Sequence, residues 1–284
     1  MTKTGPCVAL VTGCSSGIGM STALALAESG CKVYATARRV ETLEPLRRRA
    51  AELGLAMETL ELDVSKLDSI EGIVSGIARE AGRLDVVINN AGYALFGALE
   101  DIPLKDLKRE FDTNVFGLIL VSKAALPIMR NNGGGTIVNI SSVAGRVAVP
   151  VMGAYSASKF SVEAFSLAMN AEARQFGVRV ISIEPGPVDT KFSENAIKAS
   201  GHIVHRADSP YAGAYVKIKE MYEDGSSSGV SAERVARVIM KAIRARNPKT
   251  RYTVRLKDRL FITFGGLIST RPGQRFVRGY FGLR

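Results

Sequence analysis

The sequence predicts an α/β fold: one doubly wound domain built on a parallel sheet of about seven strands, with a substrate lid and a basic C-terminal extension. Three observations predict it. Short β-rich apolar runs alternate with longer stretches of helical periodicity from the N-terminus to about residue 254, and parallel neighbours need such crossovers. A glycine-rich turn follows the first run at once, at the strand end where open sheets bind ligands. The 284 residues, 46% of them apolar, can fill a sizeable core, and no repeat, low-complexity tract or linker divides the chain.

The first run is Val8 to Thr12, and its apolar part, Val8 to Val11, starts too early and ends too soon for a signal peptide or a membrane span, so a cytosolic protein is expected. It opens into Thr12-Gly13-Cys14-Ser15-Ser16-Gly17-Ile18-Gly19, where a helical pattern begins and continues to Ser29. Glycines here allow a tight turn and close approach of backbone N–H groups to a pyrophosphate; the helix start adds partial positive charge. The spacing is GxxxGxG, a weak signal alone, and the strand–turn–helix context makes it a dinucleotide signature.

The second run, Lys32 to Thr36, leads to Ala37-Arg38-Arg39, where an NAD site usually places an acid against the ribose 2′-hydroxyl. No acid stands there. Arg38 suits a 2′-phosphate through charge-assisted bonds and Ser15 adds a hydroxyl, so NADP(H) is the expected cofactor. A helix over 41–53 precedes the third run, Met57 to Asp63, and one over 66–81 precedes the fourth, Asp85 to Asn89. These end in Asp63-Val64 and Asn89-Asn90-Ala91-Gly92, on the same sheet edge.

The helix expected over 103–131 contains Asn114, a residue that needs a partner if buried in mid-helix. The fifth run, Thr136 to Ser141, delivers Ser142 to the ligand-binding edge, where its hydroxyl can hold a substrate oxygen. Tyr155 and Lys159 are spaced i, i+4 at the start of the next helix, 155–176, and share a face. A free tyrosine titrates near ~10, and a neighbouring ammonium favours its phenolate, which suits acid/base work. The sixth run is Val178 to Glu184. After it, Lys191 to Gly229 breaks the rhythm, carries Tyr211, Tyr215, Met221 and Tyr222, and ends in the flexible run Gly225 to Gly229; a loop of that length reads as a lid. A helix over 232–245 and a strand over 252–254 complete the domain.

TGCSSGIG (12–19), NNAG (89–92), Asn114, Ser142, Tyr155-x-x-x-Lys159 and Pro185-Gly186-Pro187-Val188-Asp189-Thr190, in this order, resemble the short-chain dehydrogenase/reductases over roughly residues 5 to 255. KVYATARR (32–39), NNAGYALFGALE (89–100) and YSASKF (155–160) look most like the branch containing 17β-hydroxysteroid and retinol dehydrogenases. The resemblance implies a Rossmann fold, a homodimer or homotetramer, and a hydroxyl–carbonyl oxidoreductase. It makes Tyr155 the acid/base and Ser142 the substrate-orienting hydroxyl. Lys159 would bind the nicotinamide ribose and lower the tyrosine pKa, and Asn114 would support a water in the proton relay. Pro185, Gly186, Val188 and Thr190 would lie against the nicotinamide; Asn89, Ala91 and Gly92 would flank the adenosine ribose, and Asp63 with Val64 the adenine.

Tyr93-Ala94-Leu95-Phe96, Val143 to Met152 and the lid aromatics make the expected pocket apolar, with Val143 and Phe192 beside Ser142 and Tyr155 on the substrate side. That composition favours a steroid, retinoid or fatty ketone over a sugar or hydroxy acid. His202 and His205 read as exposed loop residues, and two histidines three apart do not form a metal site; no metal is expected.

The net charge of +11 is clustered: Lys241 to Arg284 holds twelve Lys or Arg against Asp258 alone, leaving 26 bases and 26 acids before it. Leu260 to Ile268 is apolar and flanked by Lys257, Arg259, Arg271 and Arg275. It is too short to span a bilayer, and either lies at an anionic membrane surface or packs on the domain or a second subunit. Without aromatic interleaving or a reading motif, the charge does not indicate nucleic acid. The basic extension also motivates a second reading, a non-catalytic NADP(H)-binding or membrane-surface module. Cys7, Cys14 and Cys31 are an odd set without paired spacing and are expected to be reduced and structural.

Overall fold

The structure, a computed structural model, describes residues 6–223 and 229–283. Its strands are β1 (Val8–Val11), β2 (Lys32–Ala37), β3 (Met57–Glu61), β4 (Val86–Asn89), β5 (Gly135–Ile140), β6 (Val178–Glu184), β7 (Val188–Asp189), β8 (Val230–Ser231) and β9 (Arg251–Thr253). Seven of them form one parallel sheet in the order β3-β2-β1-β4-β5-β6-β9; β7 and β8 pair separately. Chain order reverses between β1 and β4, which opens a crevice at their C-terminal ends.

Helices cover both faces, as the alternation requires. On one side α1 (Gly17–Glu28) packs with α9 (Ala232–Arg244), burying Ala23, Leu26, Val235 and Ile239 against Val11, Val33 and Ile88. On the other, α3 (Ile70–Ala81) buries Val74 and Ile77 against Leu10, Val87 and Ile137. The stretch Leu104–Asn131 consists of α4 (Leu104–Phe111), a π turn (Asp112–Gly117) and α5 (Leu118–Asn131). It is long and apolar enough to cross a membrane, yet it is the crossover from β4 to β5, with Val121, Ala125 and Met129 in the core. Then α6 (Gly153–Ala173) leads into β6.

Two expectations are corrected here. Cys7 and Cys31 form a disulfide, while Cys14 is free and buried. The reason is the register Val8↔Lys32 between parallel β1 and β2, which stands the preceding residues side by side with Cα atoms 4.4 Å apart. Burial pushes the Cys14 thiol up to about 12, so it is an inert core residue. Lys191 to Gly229 is not one loop: it folds as α7 (Phe192–Val204) and α8 (Ala212–Glu223). Of the expected flexible run, Gly225 to Ser228 lie outside the described residues.

The extension is helical as well, with α10 (Leu256–Phe264), a 3-10 turn (Gly265–Ser269) and α11 (Arg271–Tyr280). Thr270 caps α11 by accepting a hydrogen bond from the Gly273 N–H. Val277 and Phe281 are buried in a third apolar cluster with Leu95, Phe96, Met152, Tyr215 and Ile218. This cluster sits above the crevice and builds the far wall of the site.

Candidate active site

The turn after β1 is held open by its own backbone. Gly13 has φ +72°, and a Cβ there would stand 2.9 Å from Ala91 Cα; a Cβ on Gly19 would strike the Gly13 carbonyl. Thr12 Oγ1 accepts the Asn90 and Ala91 N–H groups, both at 3.0 Å, and Asn90 Nδ2 donates to the Thr12 and Gly13 carbonyls at 2.9 Å. The turn and the end of β4 are thus one unit. The Ser16 side chain makes no capping bond at the start of α1, so the first-turn N–H groups point at the crevice uncapped.

A cavity of about 1380 Å³ runs from this turn to the third apolar cluster. Gly13, Ser15, Ser16, Gly17 and Ile18 line one end, with Arg38 and Arg39 beside them at the end of β2. Val64, Ala91 and Gly92 line its side, and Pro185, Gly186, Val188 and Thr190 face them. Glycines that leave room for a pyrophosphate, uncapped amides and two guanidinium groups fit a dinucleotide. Gly19, Asp63 and Asn89 do not reach this cavity. Gly19 lies beneath Gly13. Asp63 accepts the Ser65 N–H and hydroxyl at 3.0 and 2.7 Å, and Asn89 donates to Ser122 Oγ and Asn139 Oδ1 at 2.8 and 2.9 Å inside the crossover. The wall position expected of Asn89 belongs to Asn90. Strand alternation carries the reason: successive side chains point to opposite faces, and the last residue of β4 points into the core.

At the middle of the cavity Tyr155 stands in the first turn of α6, 6% exposed. Lys159 Nζ lies 5.9 Å from the Tyr155 ring centroid and donates to the Ile140 carbonyl at 2.8 Å. Burial holds this lysine down at about 8, against the opposing fields of Glu110 and Glu163. Ser142 caps the short turn after β5, accepting the Ala144 N–H at 3.1 Å, with its hydroxyl 3.5 Å from the Pro185 carbonyl. Phe192 tilts against Tyr155, ring centroids 5.9 Å apart.

Asn114 stands behind the wall rather than in it. Its Nδ2 donates to the Tyr93 carbonyl at 2.8 Å and Ser158 Oγ at 3.0 Å, and its Oδ1 accepts the Tyr93 N–H at 3.0 Å. The partner its burial demanded is therefore the backbone of the loop after β4, reached from a π turn in the helix. Sequence reasoning missed Glu110, one helical turn earlier. It is fully buried, accepts the Leu95 N–H at 3.0 Å, and burial pushes its carboxyl up to about 8. Its i, i+4 relation to Asn114 was the available signal.

The other end of the cavity is apolar. Val143, Val147, Val149, Met152 and Phe192 line it, joined by Phe261, Phe264, Ile268, Phe276 and Phe281 of the extension. The extension's part was not legible, whereas the lid aromatics are elsewhere than expected. Tyr215 is buried and donates to Asp101 at 2.5 Å, Tyr211 donates to Glu100 at 2.8 Å, and both pin the 98–101 turn. Met221 of the same stretch lines the cavity, and the Tyr222 side chain lies outside the described residues. His202 Nε2 sits 2.8 Å from Asp106 Oδ2 on the outside of α7, and among the described residues no cluster of His, Cys, Asp and Glu forms a metal site.

Fold and site together define a nicotinamide-dinucleotide oxidoreductase of α/β type, with a tyrosine–lysine pair in the middle of its cavity. The model of the short chain dehydrogenases matches residues 7–200, and the chain belongs to that family. The 3-ketodihydrosphingosine reductase of Bacteroides thetaiotaomicron is 34% identical over 250 residues, 88% of each chain. The 17-beta-hydroxysteroid dehydrogenase type 1 of Mus musculus is 36% identical over 253 residues, 87% of this chain and 73% of its own. A short-chain dehydrogenase from Streptomyces avermitilis superposes with a TM-score of 0.80 at 30% identity, covering 98% of this chain and 99% of its own.

Proposed function

We propose that the protein is an NADP(H)-dependent oxidoreductase that interconverts a hydroxyl and a carbonyl on a bulky apolar substrate, with Tyr155 as acid/base. The observation that carries the reading is one cavity with Arg38 and the glycine turn at one end, apolar walls at the other, and Tyr155 between them. The ketodihydrosphingosine and the 17-beta-hydroxysteroid for which the two relatives above are named are bulky apolar compounds of this kind.

Bound in this cavity, the cofactor would supply or accept the hydride. In reduction Tyr155 gives its phenolic proton to the substrate oxygen; in oxidation the phenolate takes it back. Ser142 donates to the same oxygen and fixes it near the phenol. Charged Lys159, buried beside the ring, favours the phenolate. Asn114 holds the Tyr93 backbone from both sides, so the wall facing the substrate keeps its distance from Tyr155. Arg38 takes the 2′-phosphate. Exposed apolar side chains on the crossover helix and α6, Phe116, Phe160, Phe165 and Leu167, would be covered by a second copy in a homodimer or homotetramer.

The test is NADPH oxidation with a panel of steroid, retinoid and long-chain ketones. Tyr155→Phe is expected to lower kcat/KM by about 10²- to 10⁴-fold while leaving NADPH binding by fluorescence unchanged. A Phe variant with wild-type turnover rejects the reading.

A further inference from the structure

The mouth of the apolar end is built by the extension, and its composition is unlike that of the rest of the surface. Phe264 and Phe276 line the cavity yet are 60% and 75% exposed, and Leu260, Phe261 and Tyr280 are likewise both lining and exposed. Side chains with one side in a cavity and the other in solvent form a rim. Leu256, Leu260 and Phe264 follow each other at i, i+4 on α10 and extend this apolar rim outward.

The charge around it has one sign. Lys257, Arg259, Arg271, Arg275 and Arg278 are exposed, and among the described residues none has a carboxylate partner; the extension's one acid, Asp258, is buried and bound to Arg255. An apolar rim ringed by unpaired cations is costly in water and matches a surface with phosphate outside and hydrocarbon inside. A two-fold contact with a second copy would press these cations against themselves.

We infer that the extension docks on an anionic phospholipid bilayer, so that substrate dissolved in the membrane enters between α10 and α11 and reaches Tyr155 without crossing water. The substrate half of this rests on the activity proposed above. Aromatic and aliphatic rim residues enter the headgroup region, and the five cations meet lipid phosphates. The cofactor end remains open to water, because the glycine turn and Arg38 lie at the other end of the cavity.

Cosedimentation of the full chain with vesicles tests the docking without any turnover. Vesicles of phosphatidylcholine mixed with phosphatidylglycerol are expected to bind it at least about tenfold more tightly than phosphatidylcholine alone, with the difference shrinking as salt rises. The triple variant Arg271→Glu, Arg275→Glu, Arg278→Glu should lose that preference while reducing a short water-soluble ketone as the wild type does. Phe264→Ser with Phe276→Ser should lose residual binding in high salt. A long-chain ketone carried in the anionic vesicles should be turned over at least about tenfold more slowly by the charge variant. Equal binding to both vesicle types, no binding, or an unaffected charge variant overturns the inference. So does a solution dimer that Phe276→Ser dissolves, because a second copy then covers the rim. Vesicle binding by a chain that reduces no ketone refutes the proposed activity and leaves the docking surface standing.

Discussion

Glu110 is a carboxyl group buried beside a buried lysine, and its protonation is tied to the stability of the fold. Burial raises it from an ordinary 4.5 to about 8, while the Leu95 N–H and Lys159 pull the other way. A folded value above the unfolded one means that its contribution is fully present below about 4.5 and is lost as pH rises through about 8. Glu110→Gln keeps an acceptor for Leu95 and carries no charge. It should therefore flatten the stability profile over that window, gaining on the order of 3 kcal/mol at its upper end, as read by denaturant melts at several pH values. A variant with the wild-type slope contradicts the assignment. Arg38 concerns a different quantity. Arg38→Asp removes the partner of a 2′-phosphate and offers an acceptor to a 2′-hydroxyl, so the ratio of kcat/KM for NADPH over NADH should fall by about 100-fold. An unchanged ratio places the phosphate elsewhere.

At the scale of elements, the turn after β1 and the loop after β4 share the hydroxyl of Thr12. Thr12 Oγ1 takes two N–H groups, and Thr12→Val would keep the shape and strand both donors. The cost should be about 2 kcal/mol or more, with weaker NADPH binding, since the same unit includes the glycine turn that lines the cavity. Urea unfolding and a cofactor titration measure the two effects. The strands and their crossovers were legible because their residues obey period 2 or 3.6 with apolar positions buried. In α7 the period was present but disguised. Ala196, Ser200, Ile203 and Val204 form its buried stripe, and Ser200 is polar because its Oγ accepts the Phe96 N–H at 2.8 Å. A serine on an inward face reads as loop when its partner lies more than a hundred residues away. The cysteine pairing escaped for the same reason: adjacency came from strand register, not from spacing along the chain.

For the whole molecule, the site is finished by residues far from its motifs. The tyrosine–lysine pair, the glycine turn and the cation at β2 line one cavity, and each could be read locally because it sits in a short run of sequence. The substrate end could not, because α8, α10 and α11 meet only in the fold. Phe281 shows the coupling: it is buried with Leu95, Met152 and Ile218 and also lines the cavity. Phe281→Ala should cost about 3 kcal/mol in thermal or chemical unfolding. It should raise KM for bulky ketones and leave KM for NADPH near its wild-type value; steady-state kinetics with both substrates would separate the two. A parallel rise in both would mean that the extension braces the entire crevice.

The pairing of Cys7 with Cys31 gives the sheet a fixed origin. From each cysteine the chain runs six residues along neighbouring parallel strands, to Gly13 on one and Ala37 on the other, and Arg38 is the next residue. The glycine turn and the guanidinium beside it are thus two marks on a ruler whose zero is covalent. A slip of one residue would move one mark by about 3.3 Å and turn its side chain to the opposite face. On the NADP(H) reading proposed above, the pyrophosphate and the 2′-phosphate would be recognised by their separation, and a nucleotide carrying the pyrophosphate alone would engage half of the gauge.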